Sequence, residues 1–165
     1  MAQIQDPEKL FEHELGMALG AERKVLATLK KLERLAQRDE LKHQFHHHLE
    51  ETEGQIKNLE QAFQAIGSRA GGHEADSANG IAAEGEKLVE KVDEELIDAV
   101  LLGAAAKTEH VEIAMYEGLI TQAEAMDEDD IVSLLKENLE QEEHTLKEVE
   151  KAQQKLAKEL AQQTA

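Results

Sequence analysis

No cysteine occurs in the chain, which excludes a disulfide framework, thiol chemistry and cysteine-ligated zinc. Proline occurs once, tryptophan not at all, and aromatic residues make up 2% of the sequence. With so few helix breakers and so many Ala, Leu, Glu, Lys and Gln residues, the composition favours helix throughout. Basic residues are scarce as well: 18 Lys and Arg stand against 36 Asp and Glu, a formal net charge of −18. Such a surface repels phosphate backbones and anionic lipids, so neither nucleic acid nor membrane is an expected partner. No apolar run approaches membrane-spanning length, and the N-terminal MAQIQDPEKLFEHEL lacks the basic start and apolar core of a signal peptide. A cytoplasmic protein is the expectation. No glycine-rich phosphate loop and no nucleophile constellation is present, and the Gly71-Gly72 pair reads as loop.

What remains, 165 residues, fits one all-α domain with a core of its own. Asp6 before Pro7 reads as an N-cap followed by proline at the first helical position, opening a helix at about 7–37. Asp39 can cap a second helix, at about 39–66, which Gly67 stops. The segment SRAGGHEADSANG, residues 68–80, is the one turn-rich stretch. After it, IAAEGEKLVEKV predicts a short helix inside a crossover spanning 67–93. A third long helix at about 94–126 starts near Asp93, and a fourth at about 128–160 is capped within Asp127–Asp130. Two short connections and one long crossover match the ferritin-like connectivity of four-helix bundles. The second hairpin also resembles the first: a shift of 90 residues aligns 22–62 with 112–152 without a gap, pairing Glu22 with Glu112 and Asp39 with Asp129.

Each long helix carries a stripe at steps of three and four, the spacing that faces a bundle core. The stripes are apolar at their ends and polar in their middles. The first runs from Leu15 to Leu32 through Glu22; the second runs from Leu41 to Ile66 through His48, Thr52 and Gln55. The third passes through Thr108, Glu112, Met115 and Gln122, and the fourth through Asn138, Glu142 and Thr145. Residues equidistant from a turn lie at one height in an antiparallel hairpin, so Glu22, His48, Glu112 and Glu142 are expected in one inward-facing layer. Glu51 sits beside the core line three residues after His48, and Glu109 one turn before Glu112; both can supplement it. Buried, unpaired carboxylates are costly. Carboxylates and imidazole together suit iron, manganese or zinc. The competing reading is a hydrogen-bonded polar layer satisfied by Thr108, Asn138, Thr145 and water.

Other residues read more plainly. His43 and His47 fall on an outer helix face, and His110 and His144 lie off the seams. Tyr116 is one turn after Glu112, where its hydroxyl can reach a carboxylate; a rim position with the ring packed on the core is the expected one. Leu26 and Ile120 lie off the seams and can pack between subunits.

The stretches AERKVL around Glu22, HLEETEGQIKNLEQAF at 48–63, GIAAEGEKLV at 80–89 and KTEHVEIAMYEGL at 107–119 follow in order the pattern of the YciE/YciF-like family of the ferritin-like superfamily. The chain resembles that family over most of residues 8–155. The resemblance implies a ferritin-like bundle, a carboxylate-rich metal centre, a homodimer and an association with bacterial stress, with a ferroxidase role by analogy. On matching positions it points to Glu22, His48, Glu51, Glu109, Glu112 and Glu142 as metal ligands for iron or manganese, one or two ions, with zinc as a possible substitute and dioxygen or peroxide as oxidant. The chain departs from the wider di-iron pattern, which places Glu-x-x-His on the second and fourth helices. Here those positions read Thr52-x-x-Gln55 and Glu142-x-x-Thr145. The expected alternative function is a non-catalytic bundle for stress protection or oligomerisation.

Overall fold

The computed structural model describes residues 3–163; the chain ends at 1–2 and 164–165, included in the expected domain, lie outside them. The helices are α1 Pro7–Leu35, α2 Asp39–Ala65, α3 Asp76–Val89, α4 Ile97–Ala125 and α5 Asp129–Gln163, with a single 3₁₀ turn at Glu94–Leu96 before α4. Among the described residues no strand is present, and no helix is long and apolar enough to cross a membrane.

The local signals for the start of α1 and the end of α2 act as read. The Asp6 side chain accepts from Glu8 N at 2.8 Å, with Pro7 in the first turn. Gly67 takes a left-handed φ of 68°, and Ser68 N and Gly67 N return to Phe63 O and Gln64 O, closing a Schellman motif. Asp127, with a φ of 58°, closes α4 in the same way, Glu128 N donating to Ala123 O.

Two expectations about starts need correction. Asp39 lies inside α2, and the N-cap position belongs to Arg38, whose side chain makes no capping bond. The cap comes from α4: buried Asp98 accepts from Gln37 N at 2.8 Å and Arg38 N at 3.2 Å. The short helix in the crossover starts at Asp76, earlier than IAAEGEKLVEKV predicted. Asp76 lies in its first turn, favourable to the helix dipole, and Ala78 is buried with Ala21 and Ala75. Packing thus draws part of the turn-rich segment into helix.

The long helices pack as a ring, α1 on α2, α2 on α5, α5 on α4 and α4 on α1, with α3 lying over α4 and α1. This is a ferritin-like four-helix bundle with one long crossover. Two apolar clusters fill its ends. One centres on Phe11, Leu15, Leu59, Phe63, Leu119 and Ile131; the other centres on Val25, Leu29, Phe45, Leu101, Val149 and Leu156. Between them lies the polar layer. Ile120 is buried within the first cluster and Leu26 is half-buried against the second. Ile120 is thus packed inside one chain, while Leu26 keeps part of its surface open.

Candidate metal centre

Every long helix contributes to the middle layer. Glu22 comes from α1, His48, Thr52 and Gln55 from α2, Glu109 and Glu112 from α4, and Asn138, Glu142 and Thr145 from α5, all of them buried. Four meet most closely: one donor atom each of His48, Glu109, Glu112 and Glu142 can be chosen so that all lie within 4.8 Å of one another. His48 stands between two of the carboxylates, Nδ1 3.5 Å from Glu109 and Nε2 3.7 Å from Glu142. Glu22 lies outside that closest group and accepts a hydrogen bond from the Tyr116 hydroxyl. Glu51 is at the edge. It is partly exposed, accepts from the Thr145 hydroxyl at 3.2 Å and lies 3.4 Å from His47.

The electrostatics are those of carboxylates gathered out of water. Burial pushes the Glu22, Glu109 and Glu112 carboxyls well above the usual carboxylate range, and their neighbours' charges add to the shift: Glu142 for Glu22 and Glu109, and Glu22 foremost for Glu112. Glu142 alone goes the other way. Burial disfavours its anion, but His48 and Glu109 beside it outweigh that and hold its carboxyl below the ordinary value. Burial and the Glu22 charge push the Tyr116 hydroxyl up, keeping it a donor.

The layer is also unsatisfied. Both carboxylate oxygens of Glu109, Glu112 and Glu142, Oε2 of Glu22 and Nε2 of His48 are buried without a hydrogen-bond partner. Protein interiors rarely leave such atoms orphaned. A cation answers the arrangement. With donors about 2.1 Å from an ion, donors on opposite sides stand roughly 4.2 Å apart, which small side-chain rotations reach from the observed spread. The residues present therefore fit a divalent ion. The hydrogen-bonded alternative fits less well: Thr108 donates to Ala104 O of its own helix, Thr145 to Glu51 and Asn138 to Tyr116, so none of the three reaches Glu109, Glu112 or Glu142.

Helix α4 differs most from the sequence reading. Thr108, Met115 and Gln122 were expected inside and are only half-buried, whereas Glu109, Tyr116 and Ala123 are buried. The seam is turned by about one residue at these positions, with Glu109 facing His48 of α2 and Tyr116 facing Glu22 of α1 and Asn138 of α5. Tyr116 is accordingly not on the rim; it is fully buried, joined to Glu22 and accepting from Asn138 Nδ2 at 3.1 Å. Its spacing from Glu112 was the signal. His43, His47, His110 and His144 are exposed.

The long crossover and the mid-core carboxylates define the class: a ferritin-like bundle with a buried His/Glu cluster able to accept metal. A family model described as a domain of unknown function, DUF892, matches residues 6–163, and the chain belongs to that family. The protein YciF of Escherichia coli K12 is 36% identical over 140 residues, 84% of either chain. The crystal structure of the E. coli stress protein YciF superposes with a TM-score of 0.89 at 32% identity, covering 94% of this chain and 99% of that one. YcfI of Rhodopseudomonas palustris gives 0.87 at 32% identity over 90% and 95%. A Xanthomonas campestris protein, at 19% identity and a TM-score of 0.75 over 97% and 99%, shares the fold.

Proposed function

We propose that the chain is a stress-associated, ferritin-like metal-binding protein, working as a homodimer in the cytoplasm, with iron or manganese as its native ion and zinc as a substitute. The observation that carries this reading is the set of buried, partnerless donor atoms on His48, Glu109, Glu112 and Glu142. These four residues would hold the ion, Glu22 and Glu51 flanking it. Their carboxylates offset a divalent charge and tolerate a rise to trivalent. Iron, when bound, would supply one-electron redox chemistry, each Fe(II) becoming Fe(III); reducing dioxygen to hydrogen peroxide, or hydrogen peroxide to two waters, would take two such electrons and two protons in either case.

The surrounding side chains set the conditions. The Tyr116 hydroxyl orients Glu22, and Asn138, bonded to Asn58 at 2.8 Å and to Tyr116, holds that hydroxyl in place. The apolar clusters above and below keep bulk water out. Carboxyls that carry protons in the metal-free protein must release them as the ion enters. The net charge of −18 and the resemblance support a protein-only assembly without nucleic acid.

Elemental analysis of protein purified without a histidine tag tests the reading, with about one iron or manganese per chain expected. A chain that takes up neither, and melts unchanged in the presence of both, would leave the layer a structural device and favour the non-catalytic bundle.

A further inference from the structure

A cavity of about 30 Å³ lies between α1, α3 and α4, lined by half-buried Lys24 and, deeper in the fold, by buried His48 and Glu109. By volume it admits one or two water-sized molecules. Its walls are apolar: Val25 and Leu29 of α1, Ile81 and Ala82 of α3, Ala105 of α4. The two hydroxyls along it are already engaged with their own helices, Thr28 with Lys24 O at 2.9 Å and Thr108 with Ala104 O at 3.1 Å. The inner end is different. There stand Glu109, with both oxygens unpartnered, and the imidazole of His48, with Nε2 unpartnered.

We propose that this cavity is a binding site for a small apolar gas, dioxygen, delivered beside the metal centre. The inference rests on the metal reading for its purpose, but the cavity itself does not. An apolar stretch such as that between Val25, Leu29, Ile81, Ala82 and Ala105 takes up nonpolar guests, whereas water would find partners only at the inner end. Dioxygen needs no hydrogen bonds and fits the stretch. Hydrogen peroxide finds both wall hydroxyls engaged, meets partners only in Glu109 and His48 at the inner end, and must lose its hydration to cross the apolar stretch between. The only part of the lining outside the four-helix ring is α3, which makes its residues adjustable without disturbing the core.

Crystals of the metal-free protein under xenon pressure test the site. Xenon should appear between α1, α3 and α4 against Val25 and Ala105. Its absence there, or ordered waters that xenon does not displace, would overturn the proposal. Ala82→Leu, on α3, should keep the parent's melting curve, lose the xenon, bind iron as tightly as the parent and slow Fe(II) oxidation by dioxygen several-fold while leaving oxidation by hydrogen peroxide unchanged. Equal slowing with both oxidants, or with neither, would defeat the assignment to dioxygen. Ala105→Val, narrowing the passage from the opposite wall, provides the second variant if Ala82→Leu fails to fold. Because xenon is read without metal, a parent that takes xenon but no iron would sink the metal reading and the dioxygen role together, whereas one that takes iron but no xenon sinks only the cavity.

Discussion

In the second hairpin the middle layer carries Glu109, Glu112 and Glu142; ninety residues earlier, the first hairpin carries Leu19, Glu22 and Thr52. The exchange is not one-sided, since His48 of the first faces Asn138 at the matching position of the second. Two hairpins of matching sequence phase thus furnish one layer unequally, with the carboxylates concentrated on α4 and α5 and the imidazole on α2. The closest donor group reflects this: three members come from the second hairpin, one from the first, and none from α1. An ion held there would join the hairpins through His48. The difference teaches that a near-repeated sequence can gather its donors off centre, because the positions that match Glu109, Glu142 and His48 hold Leu19, Thr52 and Asn138, and only Glu22 repeats a carboxylate.

The turns differ in the same sense. The α4–α5 connection closes on its own backbone through Asp127, while α2 begins without a cap of its own and takes one from Asp98 of the other hairpin. Arg38 strengthens that link, Nε standing 3.7 Å from Asp98 and Nη1 2.6 Å from Glu159 of α5. The first hairpin depends on the second for its turn; the second is self-sufficient.

The largest expected effect probes the site. At a metal concentration of about 100 Kd, linkage should add roughly 2.7 kcal/mol, or about 5–10 °C in melting temperature for a chain of this size. Glu142→Gln should abolish that shift, whereas Glu22→Gln should keep at least half of it; calorimetric melts with and without Mn(II) would show this. Equal losses would mean that the centre is symmetric after all. Next is Asp98→Ala, which strips two backbone N–H groups of a charged acceptor and should cost about 2 kcal/mol in denaturant titration. A cost within error of zero would show the first turn to be independent.

Smaller again is Glu112→Gln in the metal-free protein, expected to stabilise by about 1–2 kcal/mol at neutral pH by removing a buried charge. The sign follows from the raised Glu112 carboxyl: the fold prefers the protonated form, so stability falls as pH rises from the ordinary 4.5 through the raised value. The advantage of the amide should therefore be absent in acid and grow toward neutrality. Glu142 runs oppositely, its contribution being lost as pH falls through its lowered value. An advantage for Glu112→Gln that is flat across pH would contradict the assignment. The smallest effect is expected at Asp127→Gly, which relieves a left-handed conformation and should add up to about 1 kcal/mol, with no counterpart at Gly67, already glycine.

Much of this was legible because three of the four seams are narrow. On α1, α2 and α5 the polar core positions Glu22, His48, Thr52, Gln55, Asn138, Glu142 and Thr145 are those that three-and-four spacing selects. On α4 it failed by one position. Apolar and small residues surround that helix, which is covered by α3 as well as the bundle, so spacing alone could not choose between Thr108 and Glu109 or between Met115 and Tyr116. The role of Asp98 was illegible for another reason. Its partners lie 60 and 61 residues away, and no local pattern marks a carboxylate that caps a different helix.

The glycines of α1 were equally silent, since nothing in a helical sequence announces what will lie against it. His73 N donates to Gly16 O at 2.8 Å, and a methyl group added at Gly20 would stand 1.8 Å from His73 O. The crossover is thus moored at one point, and only Glu74 and Ala75 separate the mooring from the first residue of α3. A leash that short leaves the helix little latitude along the bundle. The approach of the crossover to α1 thus requires bare backbone at two positions of α1, so a single methyl group there would disturb the entry to a helix that it never touches.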